Sequence, residues 1–447
     1  MKNRKISRRD FMGAAAATAA FTIVPRYVLG GAGNQPPSEK LNIAGIGVGG
    51  QGAGDLGNVS SQNIVALCDV DWRHAAGTFN RYPNAAKYRD FRVMLDKEDK
   101  NIDAVVVAAP DHIHAVASIA AIKRGKHVYC EKPLTHSVYE ARRLAEAARE
   151  HKVATQMGNQ GQASERTRLM SEYIWDGAIG PVREVHVWTD RPLNGLNSVY
   201  WPQGVDRPKE TPPVPDTLDW DLWLGPAPNR PYHPAYLPFN WRGWWDFGTG
   251  ALGDIGCHAM DPVFRALKLG HPVSVEAIST LVNNETYPVA SAVHYQFPAR
   301  GDMPAVKLTW YDGGMRPPRP DELEDDRQIG SNGALFIGDK GKMLGERLIP
   351  ESRMKEYGKP PQLLPRSPGH HQEWIDACKG GKPAGSNFDH AGPLAEVVLL
   401  GNVALRPELK EKMNRTKLLW DGPNLKITNI PEANQFLQRE YRNGWSL

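Results

Sequence analysis

The chain has 447 residues, 54 basic against 50 acidic side chains for a formal net charge of +4, and 41% hydrophobic residues. That length accommodates two domains at the usual scale of about 150 residues each, and the composition is that of an ordinary globular protein. The slight basic excess owes much to the first few residues, which excludes a charge-driven nucleic-acid partner, and no second long apolar run follows to span a membrane.

In chain order, Lys2, Arg4, Lys5, Arg8 and Arg9 precede an apolar, alanine-rich stretch from Phe11 to Val24, shorter than the roughly 20 residues a bilayer requires. Arg8-Arg9, with Ser7 before and Phe11-Met12 after, resembles a twin-arginine signal, the address of a route that exports proteins already folded. Residues 1–37 are therefore expected to be an export signal and linker, and the protein to be periplasmic or otherwise exported. The four cysteines, Cys68, Cys130, Cys257 and Cys378, have no C-x-x-C spacing; three sit among apolar or small residues and are expected to be buried thiols.

From Leu41 the pattern changes to short apolar runs, "LNIAGI", "NIVALCD", "DAVVVAAP", "HVYCEKP" and "VATQMGNQ", alternating with helical stretches. One of those stretches, "SVYEARRLAEAAREH", opens with Ser137 and Glu140 at capping-box spacing. Fully apolar strands alternating with amphipathic helices predict a parallel, doubly wound sheet over residues 38–161. Its first turn, "GIGVGGQG", fits G-x-G-x-x-G in two frames; Ile46 is the last strand-like residue, which favours Gly47, Gly49 and Gly52, with Gly50 beside them. Glycines there let backbone amides approach a pyrophosphate at a helix N-terminus. Asp69 closes the second strand, where a carboxylate can accept the ribose hydroxyls of NAD and repel the 2′-phosphate of NADP. Arg73, one turn later, is the residue that could stack on adenine or pair with a phosphate.

Three further segments carry chemistry: "AAPDHIHA", with Pro110 and His114; "CEKP", with Glu131, Lys132 and Pro133; and "GTGALGDIGCHAMD", with Asp254 and His258. Lys132 ends a strand at the carboxyl edge of the sheet, where open α/β folds bind ligand, in a turn that Pro133 fixes. There its ammonium would lose a proton more readily beside the cationic nicotinamide. Asp254 and His258 are four residues apart and share a helix face, and a histidine can take a proton near neutrality. Asp111, His112 and His114, like His370, His371 and Glu373, lack the H-E-x-x-H spacing of a metal site, so no metal is expected.

With the glycine loop and Asp69, these segments resemble the Gfo/Idh/MocA family of glucose-fructose oxidoreductase and inositol dehydrogenase. The resemblance implies an N-terminal Rossmann domain and, over 162–447, a substrate-binding α/β domain on a large, mostly antiparallel open sheet that often makes a homo-oligomer. It implies NAD held by Pro110, His114, Glu131 and Lys132, with Asn159 completing the set, and it implies catalysis by Lys132, Asp254 and His258 on a hydroxyl of a sugar or cyclitol. Residues 200–245 are rich in proline and tryptophan, and flat indoles with polar neighbours suit a pyranose face; Trp241, Arg242, Trp244 and Trp245 are the expected substrate wall. Strand-like runs "VSVEAIST", "SAVHYQF" and "AVKLTWY" and helices near "HQEWIDACKG" and "AGPLAEVVLLGNVAL" supply the rest.

The expected function is an exported, NAD-retaining sugar oxidoreductase. Export after folding allows cofactor loading in the cytoplasm, and survival outside requires nanomolar-grade retention, about −12 kcal/mol. A cofactor that cannot leave must be regenerated on the enzyme, by a second carbonyl substrate or by returning the hydride after bond cleavage. An NAD-dependent glycosidase or lyase working through a transient keto-sugar is the enzymatic alternative, and a non-catalytic carbohydrate-binding protein the alternative of another class.

Overall fold

Strands buried on both faces need helices above and below them, and the first half of the chain supplies both in strict alternation. The computed structural model describes residues 39–195, 198–412 and 417–447; the export signal expected over 1–37 lies outside them. Strand β1, Asn42–Ile46, leads into helix α1, Gly50–Asn58. Then come β2, Asn63–Cys68, α2, Trp72–Arg81, β3, Ala86–Tyr88, and α3, Phe91–Lys97. After these run β4, Ala104–Val107, α4, Asp111–Ile122, β5, His127–Glu131, α5, Val138–His151, and β6, Thr155–Gly158.

The six strands stand in the order β3-β2-β1-β4-β5-β6, all parallel. Strand order reverses between β1 and β4, and the crevice at such a switch point is where this fold binds its ligand. The expected capping box is present: the Ser137 hydroxyl accepts from the Glu140 amide and the Glu140 carboxylate from the Ser137 amide. Cys68, Cys130 and Cys257 are buried free thiols, and Cys378 is a partly buried one.

Helix α6, Glu165–Trp175, leads to β7, Val182–Trp188, at the middle of a second sheet. Short helix α7, Trp220–Leu224, and α8, Gly250–Ala259, follow. The remaining strands are β8, Ser274–Ser279, β9, Ser291–Phe297, β10, Val306–Tyr311, β11, Gly333–Gly338, β12, Gly341–Leu344, β13, Arg347–Ile349, β14, Lys417–Asp421, and β15, Lys426–Ile427. Their order is β13-β12-β11-β7-β10-β9-β8-β14-β15, with β7 and β10 parallel and the other pairs antiparallel. Period-two alternation sends Val185, Val187, Val293, Tyr295, Leu308 and Trp310 into the core; Glu184, His186, His294, Gln296 and Lys307 stay partly exposed on the other face.

Two later segments return to the first sheet. Residues 217–219 pair with the end of β2: the Trp72 amide donates to the Thr217 carbonyl at 3.1 Å and the Asp219 amide to Val70 at 3.0 Å. The tail crosses α5, with Arg439 Nε 3.0 Å from Glu140 Oε1, and reaches α3, where the Trp445 ring lies 5.9 Å from Phe91 and Arg92 donates to the Gly444 carbonyl. Among the described residues no helix is long and apolar enough to cross a membrane.

Candidate active site

The β1–α1 turn explains its own composition. Gly47 has φ +74°, and a Cβ on it would lie 2.6 Å from the Ala109 amide nitrogen; a Cβ on Gly49 would lie 2.1 Å from the His74 ring. Gly50, at φ +47°, opens α1, and the first-turn amides of a helix have no intrahelical acceptors, so they face outward as donors. Gly52 serves packing: its Cβ would strike the Gly47 carbonyl oxygen at 1.9 Å. Asp69 clamps the loop. Its Oδ2 accepts from the Val48 amide at 2.8 Å and the Gly49 amide at 3.3 Å, and its Oδ1 accepts from the Asp71 amide at 2.9 Å. Burial raises this carboxyl, against the pull of those amides.

Loop, Asp69 and Asp71 border a single cleft of about 710 Å³ that runs across the carboxyl edge of the sheet to α8. Pro110 precedes α4, and His114, on that helix, presents its two ring nitrogens to the Ala109 and Pro133 carbonyls, each at 2.7 Å. His114 thereby bolts the β4–α4 turn to the turn that carries Lys132. Glu131 is buried at the end of β5, where it accepts from Gln160 at 2.8 Å. A Cβ on Gly158 would fall 2.2 Å from its carboxylate, so only glycine leaves room for it. Burial, then the Asp55 charge, push the Glu131 carboxyl up to about 8.

At the far end, Lys132 Nζ donates to Asp254 Oδ1 at 2.5 Å and Arg242 Nε donates to the same oxygen at 2.8 Å. Burial alone would raise the Asp254 carboxyl, but the two cations override it and hold the group well below the ordinary carboxylate range. Asp254 lies inside α8, not at its start, one turn before His258 on the same face. The His258 ring makes no hydrogen bond with the described residues. Burial, then the Lys132 charge, lower it to about 4, so it is neutral at physiological pH with a nitrogen free to accept. Behind the trio, buried Asp111 accepts from Thr249 at 2.7 Å.

The cleft thus gathers Gly47, Gly49, Gly50, Asp69, Pro110, His114, Glu131, Lys132, Trp241, Arg242, Asp254 and His258. Five expected residues are placed elsewhere. Gly52 packs under the loop. Arg73, exposed on α2, does not line the cleft, and its neighbour His74 does. Asn159 is buried with Nδ2 3.3 Å from the Cys257 carbonyl, tying β6 to α8. Trp244 and Trp245 are core residues whose indole nitrogens donate to the Ala235 and Asn283 carbonyls at 3.1 and 3.0 Å. Sequence reasoning missed Arg191, Tyr200, Trp201, Phe239 and Trp445, all of which border the cleft. They come from loops and the tail, where no periodicity marks them.

The cradle fits a dinucleotide: glycines where a Cβ would fill the loop, donors at a helix start, acids at the β2 end. The fold and this site define an NAD-binding oxidoreductase of the Rossmann class. Residues 41–159 match the oxidoreductase family with an NAD-binding Rossmann fold, and residues 189–447 match its C-terminal alpha/beta domain. The chain belongs to the Gfo/Idh/MocA oxidoreductase family.

Among curated relatives, it is 31% identical over 151 residues to an inositol 2-dehydrogenase from Salmonella paratyphi B, covering 33% of this chain and 44% of that protein. It is 38% identical over 185 residues to a 1,5-anhydro-D-fructose reductase from Ensifer adhaerens, covering 40% and 42%. The chain therefore spans less than half the length of these relatives. The WlbA dehydrogenase from Bordetella pertussis, solved with NADH and UDP-GlcNAcA, shares the fold at a TM-score of 0.57 and 16% identity, over 86% of this chain and 99% of that one.

Proposed function

We propose that this protein is an exported oxidoreductase that interconverts a hydroxyl and a keto group on a sugar or glycoside, with NAD retained between turnovers. The observation that carries the reading is the convergence of an unpaired neutral His258 and the Lys132–Asp254–Arg242 trio at the end of a dinucleotide cleft. Bound NAD supplies the hydride acceptor. His258 accepts the hydroxyl proton, because its ring is neutral and unengaged. Lys132, steadied by Asp254, directs its remaining N–H donors at the substrate oxygen as negative charge gathers there. Arg242 keeps Asp254 ionised and fixed, and Trp241 offers a flat wall to a ring.

The proposed retention draws support from the two returning segments. Trp445 borders the same cleft as Asp69 and Asp71, and residues 217–219 brace residues 70–72 beside it, where the adenosine half of a dinucleotide would rest. Export is supported by the Arg8-Arg9 leader, and self-association by the partly exposed face of the second sheet. The names of the curated relatives, dehydrogenases and a reductase of cyclitols and anhydrosugars, agree with a polyol substrate.

The test is to denature the purified protein and identify released small molecules by mass spectrometry, then to follow nicotinamide absorbance as glycosides are added. Stoichiometric NAD or NADH and a keto-sugar product are expected. Absence of both nucleotide and absorbance change would refute the proposal.

A further inference from the structure

The substrate half of the cleft brings three cations together, Lys132, Arg242 and Arg191. Lys132 and Arg242 share one carboxylate, Asp254. Arg191 also borders the cleft; its guanidinium stacks 3.6 Å above the Tyr200 ring and uses Nη1 on Asp190. With buried Asp111 behind the trio, three carboxylates, Asp254, Asp190 and Asp111, stand near the three cations, and only Asp190 meets Arg191.

The donors are also left open. Arg191 Nε and Nη2 and Arg242 Nη2 have no hydrogen-bond partner among the described residues, none of them is fully buried, and both residues line the cleft. Both guanidiniums are clamped rather than mobile. Arg242 sits 4.1 Å from the Phe239 ring and 4.3 Å from Trp241, and Phe239 holds φ +75°, a conformation costly for a non-glycine residue and concentrated at functional sites. A stacked, planar, pre-oriented fork is what carboxylate recognition uses. A sugar hydroxyl answers one N–H of such a fork, whereas a carboxylate answers two in parallel with opposite charge.

Resting on the dehydrogenase reading above, we propose that the sugar taken by this site bears a carboxylate, as a uronate does, with that group received by Arg191 while a hydroxyl meets His258 and Lys132. A sugar phosphate would share the negative charge; the planar fork on Tyr200 favours the carboxylate.

The experiment is calorimetric titration of the NAD-loaded protein with D-glucuronate, D-galacturonate, their methyl esters and D-glucose 6-phosphate. A charged hydrogen-bond pair predicts that a free acid binds about ten- to a hundredfold more tightly than its ester. In Arg191→Met the acid-to-ester ratio should fall towards one, and Arg191→Lys should restore only part of it. Equal binding of acid and ester by the unaltered protein overturns the proposal, and tighter binding of the phosphate overturns the carboxylate assignment. The two readings fail separately: ester-sensitive binding without nicotinamide reduction retires the dehydrogenase and leaves the acid site, whereas reduction without discrimination does the reverse.

Discussion

At the scale of single residues, the proposed reaction turns on a histidine kept neutral one helical turn from the carboxylate that holds Lys132. Burial and the Lys132 charge bring His258 from the ordinary 6.5 to about 4, so its base form persists on acidification until pH nears 4. We expect kcat/KM to fall as pH drops through about 4, with no break near 6.5. The same shift makes folding weaker with acid: between 6.5 and 4 the unfolded chain binds a proton that the folded one refuses, so stability declines as pH falls through that interval. His258→Asn should lower kcat by about 100- to 10,000-fold while the purified protein still carries nucleotide, and should remove the acidic limb. Lys132, Asp254 and His258 were readable as motifs because strand end, helix face and neighbouring residues each pointed to them. Their coupling to Arg242 was not, since that contact joins a loop to a helix through space. Nor can a run of tryptophans say which indoles face the cleft: Trp241 does, while Trp244 and Trp245 turn inward to meet backbone carbonyls.

At the scale of elements, periodicity gave the alternating strands and helices of the first half and the capping box of α5. It missed β3, three residues long with Lys87 exposed at its centre, and β7, whose Arg183 and Glu184 break up the apolar pattern although the strand lies at the middle of its sheet. Short or charged strands are made by their neighbours, not by their own composition. The glycines of α1 test this level directly. Gly52→Ala would press a methyl onto the Gly47 carbonyl, and should cost about 1–3 kcal/mol in chemical denaturation and strip the nucleotide from the purified protein. A methyl added to Gly54, on the same helix, would meet nothing within 4 Å. Gly54→Ala should be neutral or stabilising by up to about 1 kcal/mol.

At the scale of the whole molecule, the cleft is assembled from chain segments remote in sequence. Removing residues 439–447, or the milder Trp445→Ala, should raise the rate at which NAD escapes on dilution by about tenfold or more, measured by passing the loaded protein through gel filtration at increasing delay. Unchanged escape would mean that the tail takes no part in holding the nucleotide. The contacts that seat the tail on the first domain also set an order of events. Arg92 meets Gly444 across 352 positions and Arg439 meets the carbonyl of His112 across 327, and closing loops of such length costs chain entropy that slows the assembly needing them. A nascent or misassembled chain would then own the glycine loop without a firm grip on the dinucleotide. Occupancy would certify that the distant end has come home, a built-in sign of maturity that any inspection step could read.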